Sequence, residues 1–267
     1  MPLHIVVCGS IVPDPLQTLI PVQTPDGFGL KNEMMLPHVL DPWAGHALYE
    51  AAHLAKQAEG SKVYLVSLGQ KAKLQQTMMT IAQKVPFELV AVDGSQSGFT
   101  DSVKVAEALA IAIETIPGLD KSNLLVFGGW ESASRAAGTT MQIVGEKLGI
   151  VDQFQGVDEI QLNDNDSFQV LERVEGGQHQ VSVCAGPPAV LGWATGNLPE
   201  PPNNPQVGMM NMRTVMPAIQ KAQSASIKDE SFTLKNVEVP AQRRETKIVK
   251  DMAPADIAKE LVEWLKE

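Results

Sequence analysis

Four times between residues 4 and 148 a short apolar run gives way to a stretch with helical spacing, and that alternation limits the fold more than any other feature of the chain. The runs are residues 4–7 (HIVV), 62–68 (KVYLVSL), 87–92 (FELVAV) and 123–127 (NLLVF), each rich in aliphatic or β-branched side chains and read as a strand. Asp41 and Pro42 open the first helical stretch as N-cap and first-turn residue. Ala44, Ala47, Leu48, Ala51, Ala52, Leu54 and Ala55 recur at i, i+3 and i+4 behind them, up to Gly60. Residues 71–84, 103–116 and 139–148 repeat the pattern, and Pro117-Gly118 and Gly149 stop the last two. Strands separated by helices pair in parallel, because parallel neighbours need a long crossover. The expected fold is therefore α/β, with a doubly wound, mostly parallel sheet.

The pattern changes after residue 150. Residues 157–162, 168–174 and 180–184 read as short strands, with turns at Asn163-Asp164-Asn165-Asp166 and Glu175-Gly176-Gly177, and residues 187–191 as one more. These form a small antiparallel addition. Early prolines (Pro13, Pro15, Pro21, Pro25) make the stretch after the first strand irregular or a loose hairpin. Residues 199–205 (PEPPNNP) read as an irregular loop, and 214–223 as a short helix or a turn. Residues 229–250 are polar and extended, and 253–266 form an amphipathic helix with Ile257, Leu261, Val262 and Leu265 on one face. The expected division is a nucleotide-binding domain at 1–223 and a C-terminal arm and helix at 224–267. Two fates are open for that helix, packing on another subunit or folding back on its own domain.

Composition narrows the partners. The net charge of −10 disfavours nucleic acid and anionic membrane surfaces. Cys8 and Cys184 lack metal-type spacing and read as buried, reduced thiols of a cytoplasmic protein. The first ten residues lack the basic and apolar regions of a secretory signal, and no apolar run approaches the ~20 residues of a membrane helix. His38, His46 and His53 do not form a metal set, and no nucleophile–base arrangement is supported. Neither catalytic residues nor a metal site is assigned.

The chemistry concentrates in residues 124–141 (LLVFGGWESASRAAGTTM). A strand ends in Gly128 and Gly129, and a loop of small and hydroxyl residues leads into a helix. Backbone N–H groups there point beyond the strand's carboxyl end, where a nucleotide phosphate would sit. Ser132, Ala133, Ser134 and Gly138 allow close approach, Thr139 and Thr140 offer hydroxyls at the helix start, and Arg135 adds a cation if it points inward rather than into solvent. Cys8, Gly9 and Leu68 stand at strand ends that would flank an adenine. Trp43 reads equally as a pocket wall or a core aromatic. Met209, Met210, Met212 and Met216 read either as an adaptable docking surface or as packed side chains.

In order along the chain, several landmarks resemble the beta subunit of electron transfer flavoproteins, over nearly the whole length. Val12-Pro13-Asp14 stands where the family has a hydrophobic pair and an Asp. Asp41-Pro42-Trp43-Ala44, with Ala47, Glu50 and Ala51, is similar to its Asn-Pro-Phe-x-Glu helix opening. Residues 63–69 resemble its second strand, and 124–141 match its strand and nucleotide loop without a gap. Glu175-Gly176-Gly177, residues 214–221 and Val239-Pro240-Ala241-Gln242-Arg243 resemble its Asp-Gly-Gly, Leu-Pro-Asn-Ile-Met-Lys and Pro-Pro-Gln-Arg segments. The chain departs at Ser134, Arg135 and Ala136, where the family has three aspartates. It departs again at Gly138 and Thr139 for Asn and Gln, at Asp41 for Asn, and at Pro15 for a Tyr near the partner's flavin. Thr140 keeps the family's Thr.

The resemblance implies an adenine nucleotide alpha hydrolase-like fold in a heterodimer whose alpha subunit holds most of an FAD. It implies AMP, or a second FAD in bifurcating members, at Cys8, Gly9, Asp41, Pro42, Trp43, Leu68, Gly129, Ser132, Ser134, Arg135, Gly138, Thr139 and Thr140. It also implies that Met216, Pro217 and Lys221 dock a flavoprotein dehydrogenase. Electrons would pass by way of the FAD to a membrane quinone oxidoreductase, with no insertion of this chain into the membrane. Three alternatives stay open: a bifurcating form that oxidises NADH, a stand-alone adenine-nucleotide-binding regulatory module, and a loop that binds nothing.

Overall fold

The computed structural model describes residues 2–25, 27–94, 98–225, 227, 235–238, 241 and 248–266. Most of the 229–250 stretch and of the Val239–Arg243 match therefore lies outside the described residues. The chain divides into two compact units, Met1–Val237 and Glu238–Glu267.

The first unit is built on a nine-stranded sheet. Its centre is β1 (His4–Cys8), hydrogen-bonded in parallel to β6 (Lys62–Gly69) on one side and β8 (Leu124–Gly129) on the other, so that Ile5 faces Val63 and Leu125 in register. Beyond β6 lie β7 (Glu88–Asp93) and the two-residue β13 (Gln223–Ser224). Beyond β8 lie β12 (Ala189–Trp193) and β9 (Gln153–Leu162), also parallel. The sheet then turns antiparallel through β10 (Phe168–Val174) and β11 (Gln178–Cys184). Two small antiparallel pairs stand apart, β2 (Ile11–Pro13) with β5 (His38–Leu40), and the hairpin β3 (Pro21–Thr24) with β4 (Gly27–Leu30). The expected fold class is the one observed.

Strand alternation sends Ile5, Val7, Leu65 and Phe127 to one face and Val6, Cys8, Val66 and Val126 to the other. Helices α1 (Pro42–Gln57), α2 (Lys71–Ile81) and α5 (Pro205–Gln220) cover the first face through Leu48, Leu74, Met78 and Val215. Helices α3 (Ser102–Glu114) and α4 (Thr140–Leu148) cover the second through Leu109, Ile113, Val144 and Leu148. Each such fully buried aliphatic side chain contributes about 1.5–3 kcal/mol. From β1 the chain winds outward to β6 and β7, then returns across β1 to β8. The winding direction therefore reverses between β1 and β8, and the crevice at their carboxyl ends is where ligands bind in open α/β sheets.

Residues 199–223 differ from their sequence reading. The irregular loop is confined to residues 199–204, and the expected short helix or turn is the end of a longer one, the sixteen-residue α5, which starts at Pro205. Asn204 caps it, accepting from the N–H groups of Gln206 and Val207, and Pro205 occupies the first turn, where its missing N–H costs nothing. Pro217 sits inside the helix. The second unit carries α6 (Pro254–Trp264), none of whose residues is buried.

Candidate functional site

The crevice is shaped by how α1 meets the end of β8. Gly129 has no side chain because a Cβ there would lie 2.5 Å from the Cβ of Trp43, in the first turn of α1. The N-cap of α1 is therefore held against the loop that follows β8. That loop doubles back tightly: the Ala136 N–H donates to the Ser132 carbonyl at 2.7 Å, with Ala136 in the left-handed region at φ 49°.

Asp41 lies at this junction, 4% exposed. One carboxylate oxygen, Oδ1, accepts the Trp43 N–H at 3.2 Å and caps α1. The other, Oδ2, reaches across to the loop and accepts the Ala133 N–H at 2.9 Å and the Ser132 hydroxyl at 3.4 Å. Burial pushes the Asp41 pKa above the usual carboxylate value, while these bonds and the nearby Arg135 charge pull it back. Burial lowers the Arg135 pKa from its usual value, and Asp41 opposes that shift. The two groups are thus each other's counter-charge.

A cavity of about 30 Å³ remains between them. Of the residues singled out in the sequence, Cys8, Asp41, Gly129, Ser132, Arg135 and Thr140 line it. The Thr140 hydroxyl is buried and has no hydrogen-bond partner among the described residues. The space suits one or two waters, since a single water needs roughly 10–15 Å³. The Cys8 thiol is pushed up to about 12 by burial, which leaves it protonated and unreactive at neutral pH.

The remaining predicted residues lie around this cavity rather than in it. The Gly9 N–H donates to the Val66 carbonyl at 3.0 Å, and its own carbonyl accepts the Ser67 hydroxyl at 2.5 Å, so its backbone is engaged internally. Pro42 fills the first turn of α1, and Leu68 is fully buried in the core between the sheet and α3. The Trp43 indole N–H is buried without a hydrogen-bond partner among the described residues. Ser134 lies 3.3 Å from the Ser132 hydroxyl and, with Ala133, lines a neighbouring cavity of about 280 Å³ alongside His38, Lys73 and Phe99. Gly138 is exposed, and Thr139 stands at the N-cap position of α4 without a side-chain capping bond, its hydroxyl 3.2 Å from that of Ser102. Met216, Pro217 and Lys221 lie on or just past α5; Met216 is half-buried and the other two are exposed. Lys221 borders an open groove of about 830 Å³ beside β7, away from the β8–α4 loop.

Two carboxylates escaped the sequence reading as structural centres. Glu50, 7% exposed on α1, accepts the N–H groups of Asn197 and Leu198 at 3.1 and 3.2 Å. The signal was present, since a Glu falls within the apolar stripe of α1. Asp158, 3% exposed, gathers Arg173 Nε at 2.5 Å and His179 Nε2 at 3.3 Å. No local pattern marks that pairing, because its members come from three strands. Among the described residues no group of three His, Cys, Asp or Glu is placed to hold a metal ion, and no helix is long and apolar enough to cross a membrane.

Residues 32–234 match the family model of the electron transfer flavoprotein domain. The chain belongs to the electron transfer flavoprotein family. The match runs from just before β5 through α1, the β8–α4 loop and α5, so it covers the candidate site except for its β1 residues. The chain matches no curated protein. Family membership implies that it works alongside other electron-transfer components.

Proposed function

We propose that this chain is the beta subunit of a heterodimeric electron transfer flavoprotein. Its companion alpha subunit would hold most of the FAD, accept electrons from a flavoprotein dehydrogenase and pass them to a quinone oxidoreductase. The observation that carries the reading is the match of residues 32–234 to the electron transfer flavoprotein domain, which takes in the β8–α4 loop and α5. The amphipathic α6, with Leu261 and Val262 together on it, is of the kind that packs on a companion chain.

The cavity sizes agree with this division of labour. Small-molecule pockets run to roughly 300–1,000 Å³. The cavities of about 30 and 280 Å³ at the strands' carboxyl ends are small for an FAD, which supports a reading in which most of the flavin rests on another chain. The flavin would supply the redox chemistry; this chain would supply a scaffold and docking surfaces. On α5, Met209 and Met210 are each 66% exposed and lie on the same helix as Met216 and Pro217, an adaptable apolar contact for a dehydrogenase. The AMP or second FAD implied by the resemblance does not fit the space beside Asp41, and no role is assigned to it.

Purification from the native source, followed by identification of bound flavin, tests the reading. The expected result is a larger partner chain carrying one FAD per pair, lost when Leu261→Asp and Trp264→Asp are introduced together. A stable, flavin-free monomer that binds an adenine nucleotide would replace the subunit reading with the stand-alone module. Met216→Asp should slow dehydrogenase-coupled reduction and leave the FAD content unchanged.

A further inference from the structure

We infer that Asp41 is a resident anion of the β8–α4 loop: its carboxylate takes the donors the loop would offer a phosphate, so the loop is closed on the chain itself and does not bind a nucleotide phosphate. The inference concerns this chain alone and does not rest on the companion-subunit reading.

The geometry makes the case at three points. First, two of the loop's inward donors are used. The Ala133 N–H and the Ser132 hydroxyl both end on Asp41 Oδ2, the oxygen that α1 does not need for its cap. An N-cap Asp needs one oxygen for its helix; here the second spans ninety-two residues of sequence to hold the loop. Second, the charge is balanced internally. Arg135, the cation that would attract a phosphate, lines the same small cavity as the buried Asp41 carboxylate, and an incoming phosphate would meet that negative charge. Third, the room is gone. Trp43 presses against Gly129, and about 30 Å³ remains beside Thr140.

Asp41→Asn separates charge from capping. Asparagine offers one oxygen where the carboxylate offers two, so it can hold the α1 cap or the Ala133 N–H but not both, and it removes the negative charge of Asp41 from beside Arg135. The test has two arms, both on the full-length chain with whatever companion co-purifies. In the first, the wild-type protein is denatured and its released nucleotides are identified, with AMP counted separately from FAD. The expected result is no AMP; stoichiometric AMP overturns the inference. In the second, AMP and inorganic phosphate are titrated at pH 8 while tryptophan fluorescence is followed. Asp41→Asn should bind AMP about tenfold or more tightly than wild type, and adding Arg135→Gln should cancel the gain. A folded Asp41→Asn protein with unchanged affinity overturns the inference. If that variant does not fold, Asp41→Ser, which keeps a good cap without the charge, is read in its place. If neither folds, the wild-type nucleotide content decides.

Discussion

Two loops at the carboxyl ends of neighbouring strands are held by the same device in different electrical settings. Asp41, at the cap of α1, takes an N–H from the loop after β8; Glu50, farther along that helix, takes two from the loop after β12. Burial raises the pKa of both carboxyls. Asp41 has Arg135 to offset the cost, whereas Glu50 faces Glu159 and Asp158, which raise its pKa further. The backbone also treats them differently. Gly196 sits at φ 63° with its missing Cβ 2.7 Å from Glu50 Oε1, so the second loop accepts its carboxylate by giving up a side chain. The first loop bends at an alanine and keeps a cation. A helix can thus fix a loop by geometry alone, as at Glu50, or by a charge pair that a single substitution would unbalance, as at Asp41.

The comparison breaks most readily at Asp41. Asp41→Ala removes the cap of α1, the hold on the loop and the negative charge that favours the buried Arg135; a loss of about 3 kcal/mol in urea unfolding is expected. A loss below about 1 kcal/mol would show that the loop does not depend on this carboxylate. Glu50→Ala leaves the Asn197 and Leu198 N–H groups unpaired and should cost about 2 kcal/mol by the same measurement. The smaller value reflects the partial exposure of that loop.

Glu50→Gln sharpens the electrical half of the contrast. Because the folded pKa of Glu50 lies above its unfolded value of ~4.3, the native state holds its proton more tightly between the two. Stability from this group is therefore greatest below the unfolded value and falls as pH rises through the raised folded pKa. The glutamine variant should flatten that slope and match or exceed wild type at neutral pH, by about 1 kcal/mol at most. A variant less stable than wild type at neutral pH would contradict it. The smallest effect is expected at Ala136→Gly, which relieves the left-handed alanine and should add about 0.5–1 kcal/mol to unfolding stability.

Legibility followed the range of the forces involved. The parallel strands were plain in the sequence because each is a continuous apolar run, and β1, β6 and β8 fall within two residues of their expected ends. The β8–α4 loop was recognised as a strand-to-helix junction with Arg135 inside or outside; the structure turns it inward, toward Asp41. What the sequence concealed was the partner of the loop's donors, since Asp41 and Ala133 are joined only by tertiary contact. Only the second half of α5 is legible in the sequence, because the proline-rich approach argues for a loop, although Asn204-Pro205 is itself a helix start. The pairing of β2 with β5 spans three residues on each side, too few for any periodicity to register.

The C-terminal helix has a consequence for assembly. At eleven residues with none buried, α6 falls below the roughly 12–15 residues at which isolated helices hold together in water. Its helical turns are accordingly conditional on something to lie against, and whatever captures it must spend part of its binding energy on ordering the segment. Attachment at that end would be looser than the apolar area suggests and correspondingly easy to undo.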